Sequence, residues 1–335
     1  MKARNLWLII PWTLFVAAAL AWIFYWNYLA GEAERRVHAW QFEQNAGGAT
    51  VEIGQVVRHG FPVFLRLELR DVRYAASRGG WRAETARADL NIDPLKPRHA
   101  ILEAKAPIAI TRANGAVTNV SADALIASVR MNGADALAEA GVEADNLVLD
   151  DPAEEGVLHA AKVVATVRPD ARAAGEYQFA FDAQTITLPR PVRSFEAFGL
   201  DVARLRALIV VTHGALVMQS SPGDPLGPWR DGGGRMRFEA LELNWGPLQT
   251  TGTGEGGLDA QRRLDGRLVL PVERPAPVLT AIANGPRIDS DARRALSLLA
   301  AGYVVTGNDI TLDIGAHDGV LRIEGLPVRP LPPVY

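Results

Sequence analysis

The stretch VEIGQVVRHGFPVFLRLELR, Val51 to Arg70, decides the fold class. Val51, Ile53 and Val57 alternate with Glu52, Gly54 and Arg58. After His59-Gly60-Phe61-Pro62, Val63, Leu65, Leu67 and Leu69 alternate with Phe64, Arg66, Glu68 and Arg70. Period two on both sides of a Gly/Pro break is the mark of two half-buried antiparallel strands. Pro62 has no N–H to give to a ladder and is expected at the start of its strand.

The same signature recurs downstream. Trp81 to Ile92 and Ala100 to Thr111 read as strands, with Asn114-Gly115 as a turn. Val117 to Asp150 is rich in Ala; within it Ala134 to Ala140 reads as a short helix stopped by Gly141, and Asn146 to Leu149 as a strand. Val157 to Arg168 and Glu176 to Leu188 form a strand pair, and Leu205 to Met218 is apolar enough to be a strand buried on both faces. Met236, Phe238 and Ala240 share a face, whereas Leu241, Leu243 and Trp245 continue out of phase, which predicts a β-bulge between Ala240 and Leu241. A Gly-rich strand and a return through Leu264, Gly266, Leu268 and Leu270 follow. Pro277 to Ala283 and Asp291 to Ala301 read as helices, the second capped by Asp289 or Ser290 and stopped by Gly302. A hairpin from Ile310 to Ile323 turns at His317-Asp318-Gly319, and the Pro-rich tail is extended. The sum is a mainly β protein: a large, mostly antiparallel curved sheet, in two lobes, with a few short helices. No alternating β-α-β pattern points to a doubly wound nucleotide fold.

Upstream lies a different kind of segment. No charged side chain occurs between Arg4 and Glu32. An uncharged helix of that length spans a hydrocarbon core of about 30 Å with room to tilt. Lys2 and Arg4 precede it, so the positive-inside rule places residues 1–5 in the cytoplasm and the bulk of the chain in the periplasm. Trp7 on one side and Trp22, Tyr25, Trp26 and Tyr28 on the other are expected at the two interfaces, where amphipathic rings prefer to sit. Ala17 to Ala19 and Ala21 offer a signal-peptide cleavage site, but bulky aromatics continue the apolar run beyond them, which favours an uncleaved signal-anchor. The expected order is a span over 6–30, a linking helix over 31–48, a first lobe over 49–219, a Gly/Pro loop over 220–234, a second lobe over 235–325 and a tail over 326–335. The linking helix is expected to leave the first strand, at Val51, close to the membrane surface.

The 335 residues contain no cysteine, which removes disulfides, thiolate catalysis and lipid modification of a cysteine together. A formal net charge of −3 gives no electrostatic reason for nucleic-acid binding. The only lysines are Lys2, Lys96, Lys105 and Lys162; an Arg-for-Lys bias beside many Ala and Gly reads as base composition, not function.

Gly232 to Gly234, and Gly252, Gly254, Gly256 and Gly257, lack the following helix that a phosphate loop needs. His38, His59, His99, His159, His213 and His317 show no ligand spacing; His213 and His317 are the two positions where folding could assemble a hydrolytic triad. Asp145, Asp150, Asp151, Glu154 and Glu155 lack the Ca²⁺-loop pattern and read as a solvated turn. No catalytic, metal or cofactor residue is assigned. Gly60-Phe61-Pro62 reads as a tight turn with Phe61 tucked into the core, or as an exposed contact. Trp229 is either a local plug or an aromatic docking point, and Trp245 a structural contact.

The anchor with its short helix through Trp40, Gly60-Phe61-Pro62 followed by Leu65-Arg66-Leu67, Asn91-Ile92-Asp93-Pro94-Leu95 leading to Pro97-Arg98-His99, and Leu243-Asn244-Trp245-Gly246-Pro247-Leu248 before a Gly-rich hairpin together resemble the bacterial "domain of unknown function 2125" family of anchored envelope proteins. The strand–Pro-Leu–strand element and the late hairpin also resemble pieces of the AsmA-like β-groove proteins. That second resemblance implies apolar strand faces lining a trough that handles lipid, and it supplies no catalytic residue. Three functions are therefore expected to compete: a non-enzymatic inner-membrane protein binding lipid or another apolar ligand along its sheet, an envelope scaffold with closed sheets, and a hydrolase built on His213 or His317. The first expects an apolar sheet face left uncovered.

Overall fold

The structure is a computed structural model that describes residues 3–77, 80–134, 136–152, 156–192, 196–217, 224–246, 248–285, 290–306 and 310–335. Glu154, Glu155, Pro247, Ile288 and Asp289, residues 220–223 of the Gly/Pro loop and the side chain of Trp7 lie outside the described residues. The chain divides into two compact units, Met1–Ser121 with Leu125–Ala134, and Ala122–Ala124 with Asp135–Tyr335.

The first unit opens with α1 (Ala3–Ala46), a single helix of 44 residues. From Ile10 on it is long and apolar enough to cross a membrane, with a mean hydropathy of 1.5. The expected span and linking helix are thus one continuous rod, about 66 Å long at 1.5 Å per residue. Gly47 and Gly48 end it, Gly48 at φ +88°.

The chain then returns along the helix as β1 (Thr50–His59) and continues through β2 (Leu65–Ala75), β3 (Arg82–Ile92), β4 (His99–Ala104), β5 (Ile108–Thr111), β6 (Val117–Ser121) and β7 (Ala124–Met131). β1 pairs with β2, β2 with β3, and both β4 and β5 pair with β3. Every one of these pairings is antiparallel. The single strand expected over 100–111 is therefore two, interrupted around Pro107, which cannot donate to the ladder.

Where the helix meets this sheet, Trp26, Leu29, Ala30 and Ala33 pack on Leu65, Leu67, Leu69 and Ile92. Those helix positions are one i, i+3, i+4, i+7 stripe, and Leu65, Leu67 and Leu69 are one face of a strand, so two periodicities meet in one core. Val51 lies beside the end of α1 remote from its apolar stretch. Its N–H donates to Asn45 Oδ1 at 2.6 Å, and its carbonyl accepts from Gln41 at 2.9 Å, far up the helix. It is the other end of β1 that leads back toward the span.

The second unit is a meander in which each strand pairs antiparallel with the next. The strands are β8 (Leu137–Asp150), β9 (Val157–Pro169), β10 (Tyr177–Thr187), β11 (Asp201–Val211), β12 (Met236–Trp245), β13 (Leu248–Leu258), β14 (Leu264–Val272), β15 (Ile310–His317), β16 (Val320–Ile323) and β17 (Leu326–Pro330). A 3-10 turn (Glu196–Phe198) precedes β11, and α2 (Gly214–Val217) and α3 (Gly227–Asp231) lie between β11 and β12. The longer helices α4 (Pro275–Ala283) and α5 (Ser290–Thr306) lie between β14 and β15.

Several expectations change here. The helix expected over Ala134–Ala140 is not seen among its described residues: from Leu137 they belong to β8, because pairing with β9 outweighs the helix propensity of alanine. β11 stops at Val211 instead of Met218, and its residues are mostly half-buried, not buried on both faces. The register slip in β12 falls at Glu239, which is skipped between Ala240 opposite Leu208 and Phe238 opposite Ile209. Part of the tail is a paired strand, β17. The Gly/Pro loop joins β11 to β12, which are adjacent partners within the second unit.

The core of the second unit forms where α4 and α5 lie on the sheet. Leu279 and Leu296 from the helices, Val272, Leu312, Ile323 and Val328 from β14 to β17, and Phe198 make one buried cluster.

Candidate functional site

Two places gather residues whose arrangement exceeds what folding alone requires. The first is in the first unit, around the helix at Trp22 to Trp26. Trp22 Nε1 donates to the Pro62 carbonyl at 2.8 Å, Tyr25 Oη to Pro94 at 2.7 Å, and Trp26 Nε1 to Phe64 at 3.2 Å. Two loops that follow β1 and β3 are thereby fixed to one level of α1. Gly60 is at φ +95°, and a Cβ there would come within 2.4 Å of the Phe64 carbonyl, so glycine is required. The Phe61–Pro62 bond is cis.

Phe61 is not tucked into the core. It is 51% exposed and meets Trp26 edge-on, ring centroids 5.4 Å apart. The interior it was expected to fill is occupied by Leu65, Leu67 and Trp26. Tyr28 is exposed, and Trp22 packs against Tyr25 with ring centroids at 5.8 Å.

Beneath this level, β2 and β3 carry a charged cluster. Glu68 and Asp89 are buried, Arg87 bridges them at 3.2 and 3.0 Å, and His59 lies 3.4 Å from Glu68. The Arg70 hydrogen bond to Glu68 holds this carboxyl below its ordinary range. The cluster neutralises two buried acids, which is a structural task.

The second place is the sheet of the second unit. Residues directly opposite on neighbouring strands share a face. Val163, Ala183, Leu205 and Leu243 form one row across β9 to β12; Ala165, Phe181, Ala207 and Leu241 form the next; Val167, Phe179, Ile209 and Phe238 form a third. On β8 the rows continue as Ala144, Val142 and Ala140. The charges lie on the other face, in rows such as Val164, Asp182, Arg206 and Glu242, where Arg204 and Asp182 pair at 2.6 Å.

Toward β14 and β15 the apolar face continues as Leu268, Leu270 and Val272 beside Ile314, Leu312 and Ile310. There α4 and α5 cover it. Beyond Trp245 at the end of β12, which packs against the same cluster, the rows of β8 to β12 are not part of that core. Of the β9 to β12 rows, Ala183 alone is buried; Phe179 is 42% exposed, and Val142 on β8 is 45% exposed. The face is thus one apolar surface, closed at one end and open at the other. The glycines of β13 belong to its margin: a Cβ on Gly252 would come within 2.3 Å of Leu270 Cδ2, and one on Gly254 within 3.0 Å of Leu268 Cδ1. They make room for leucines, not for phosphate.

The other singled-out residues are structural. Trp229 is 3% exposed, its Nε1 donates to Thr212 at 2.8 Å, and a Cβ on Gly234 would strike its ring, so it is a plug. Trp245 packs edge-on against Phe198 at 5.2 Å and donates to Gly199 at 3.1 Å. His317 Nδ1 lies 2.7 Å from Asp265 Oδ1, and Arg235 approaches the same carboxylate at 3.2 Å. This His–Asp pair needs a nucleophile on the other ring nitrogen to act as a triad. Among the described residues, the hydrogen bonding of the His317 ring is confined to Asp265, and His213 has no side-chain hydrogen bond. Among the described residues, no group of three or more His, Cys, Asp or Glu is placed to hold a metal ion.

The hydrogen-bonded aromatics at 22 to 26 were legible in sequence only as interface residues; their loop partners are about forty to seventy positions away. The open face was hidden because strand phase is local, whereas the neighbour of each row is set by pairing.

No curated protein matches the chain. No solved structure matches it either, so the resemblance to AsmA-like proteins gains no support from that comparison. Residues 26–332 match the family described as "Uncharacterized protein conserved in bacteria (DUF2125)", and this match begins at Trp26, where the helix meets the sheet, and ends just past β17. The chain belongs to the DUF2125 family.

Proposed function

We propose that this is a non-enzymatic, single-pass inner-membrane protein whose β-sheet units lie in the periplasm, and that the open face of β8 to β12 binds the acyl chain of a lipid. The observation that carries the reading is the continuous row structure of that face: apolar side chains from five adjacent strands, most of them only partly buried, beside a stretch of the same face that α4 and α5 close. Exposed apolar surface of that continuity marks a binding surface more often than an ordinary solvent face. An acyl chain suits it because the rows offer hydrophobic contact with no charged side chain among them. The charged groups on the reverse face keep that side in water. Lys2 and Arg4 ahead of the uncharged run support the inside-to-outside orientation.

The test is mass spectrometry of lipids retained by the full-length protein after extraction in mild detergent. The comparison is a chimera carrying residues 1–46 ahead of an unrelated soluble domain, which samples lipids held by the helix alone. Enrichment of one lipid class over the chimera is the expected result. A lipid profile identical to the chimera's contradicts the reading, and a stoichiometric protein on the same face would favour the scaffold instead.

A further inference from the structure

The charge-free part of α1 runs from Asn5 to Gly31. A hydrocarbon core of about 30 Å takes about 20 residues of helix, so a span that starts at Leu6 leaves the core near Tyr25. That is the level at which the two loops are fixed. Trp22, which holds the Pro62 carbonyl, lies about 6 Å deeper along the axis than Trp26. The loop tip therefore reaches below the exit point of the helix.

What the loops present at that depth is apolar. Val63 is 74% exposed, Leu95 76% and Phe61 51%. In an aqueous setting such side chains at two separate loop tips would gain nothing from being there. Their polar needs are met internally: the Val63 and Phe64 N–H groups both donate to the Gly60 carbonyl at 3.0 Å, and the Leu95 N–H donates to Asp93 Oδ1 at 2.9 Å. Satisfied backbone and bare apolar tips are what a headgroup–acyl boundary accepts. Lys96, next in sequence and exposed, has a stem long enough to hold its ammonium among lipid phosphates.

We propose that the Phe61–Phe64 and Pro94–Leu95 loops form a second membrane-contact surface, seated in the interfacial region of the leaflet from which α1 emerges. The helix then holds the first unit at a fixed depth, not as a tethered body. This rests on α1 crossing the bilayer and is independent of what the open face of the second unit binds.

The absence of cysteine makes the test direct. Val63→Cys, Leu95→Cys and Asn114→Cys would each carry one nitrobenzoxadiazole label in the full-length protein, reconstituted in vesicles of phosphatidylcholine and phosphatidylglycerol. Asn114 lies in the turn after β5, beyond the Arg82 end of β3, and β3 is about 30 Å long. The exposure of Val63 and Leu95 means that a label replaces neither a core contact nor a hydrogen bond. The expected result is a blue-shifted emission at 63 and 95, quenched several-fold more by a nitroxide on a shallow acyl carbon than by aqueous iodide, with the opposite order at 114. Iodide quenching at 63 or 95 equal to that at 114 would overturn the proposal.

Discussion

Replacing Val142 and Phe179 together by glutamate is expected to lower retained lipid at least about tenfold, a loss that corresponds to about 1.4 kcal/mol of binding. A carboxylate laid against an acyl chain loses hydration without gaining a partner, which costs more than that threshold. The fold should survive the change. Both side chains are already nearly half exposed, at 45% and 42%, so each contributes only part of the about 1.5–3 kcal/mol that full burial of such a residue gives. Lipid content per protein, with thermal unfolding beside it, separates the possibilities. Loss of lipid with retained folding supports an open binding face. Global unfolding would mean that the face is a closed core, and unchanged lipid would place the ligand elsewhere.

The second large effect lies in the first unit. Leu67 of β2 is fully buried, in the cluster that α1 contributes to through Trp26, Leu29, Ala30 and Ala33. Leu67→Ala is expected to cost about 2–5 kcal/mol, because a gap under a rigid helix closes poorly. Val63→Ala, four residues earlier but exposed, should stay within about 0.5 kcal/mol. Amide exchange of β2 in the detergent-solubilised protein reads both, since local opening reports the stability of that unit apart from the other. Equal protection in the two variants would show that helix–sheet packing does not hold the unit together. The contrast also bears on why the helix extends past its apolar stretch: Trp26, Leu29, Ala30 and Ala33 cover Leu65, Leu67 and Leu69 of β2 and Ile92 of β3.

Much of this architecture was legible in the chain. Alternation gave β1 and β2 on either side of Gly60-Phe61-Pro62, and the β9–β10 and β15–β16 hairpins fell where the apolar periods put them. The misreadings have physical causes. Ala134 to Ala140 looks helical because alanine is the best helix former, but from Leu137 the chain is the start of β8, which pairs with β9 from Ala140 opposite Val167 onward. Phe61 looked like core because it is a large apolar residue in a turn; the core it would enter was already filled by Leu65 and Trp26. Val51 was expected near the membrane by counting residues, whereas β1 begins beside Gln41 and Asn45 and runs back along α1, so that Arg58 meets Glu34.

The apolar face was the least legible feature. Phe179, Ile209 and Phe238 each belong to an ordinary alternating strand. Only the registers of β10, β11 and β12 make them a row, and only the positions of α4 and α5 decide which part of that row is covered. A second expectation, the hydrolase, finds His317 hydrogen-bonded to Asp265 at 2.7 Å, but among the described residues no hydroxyl is bonded to the far ring nitrogen, which a triad needs.

The most direct measurement of the central claim is photocrosslinking in living cells, with benzoylphenylalanine in place of Phe179 or, on the opposite face of the same strand, Gln178. The account predicts a lipid adduct, identified by mass, at position 179 and none at position 178. Equal adducts at the two positions, or a protein adduct at 179, would contradict it.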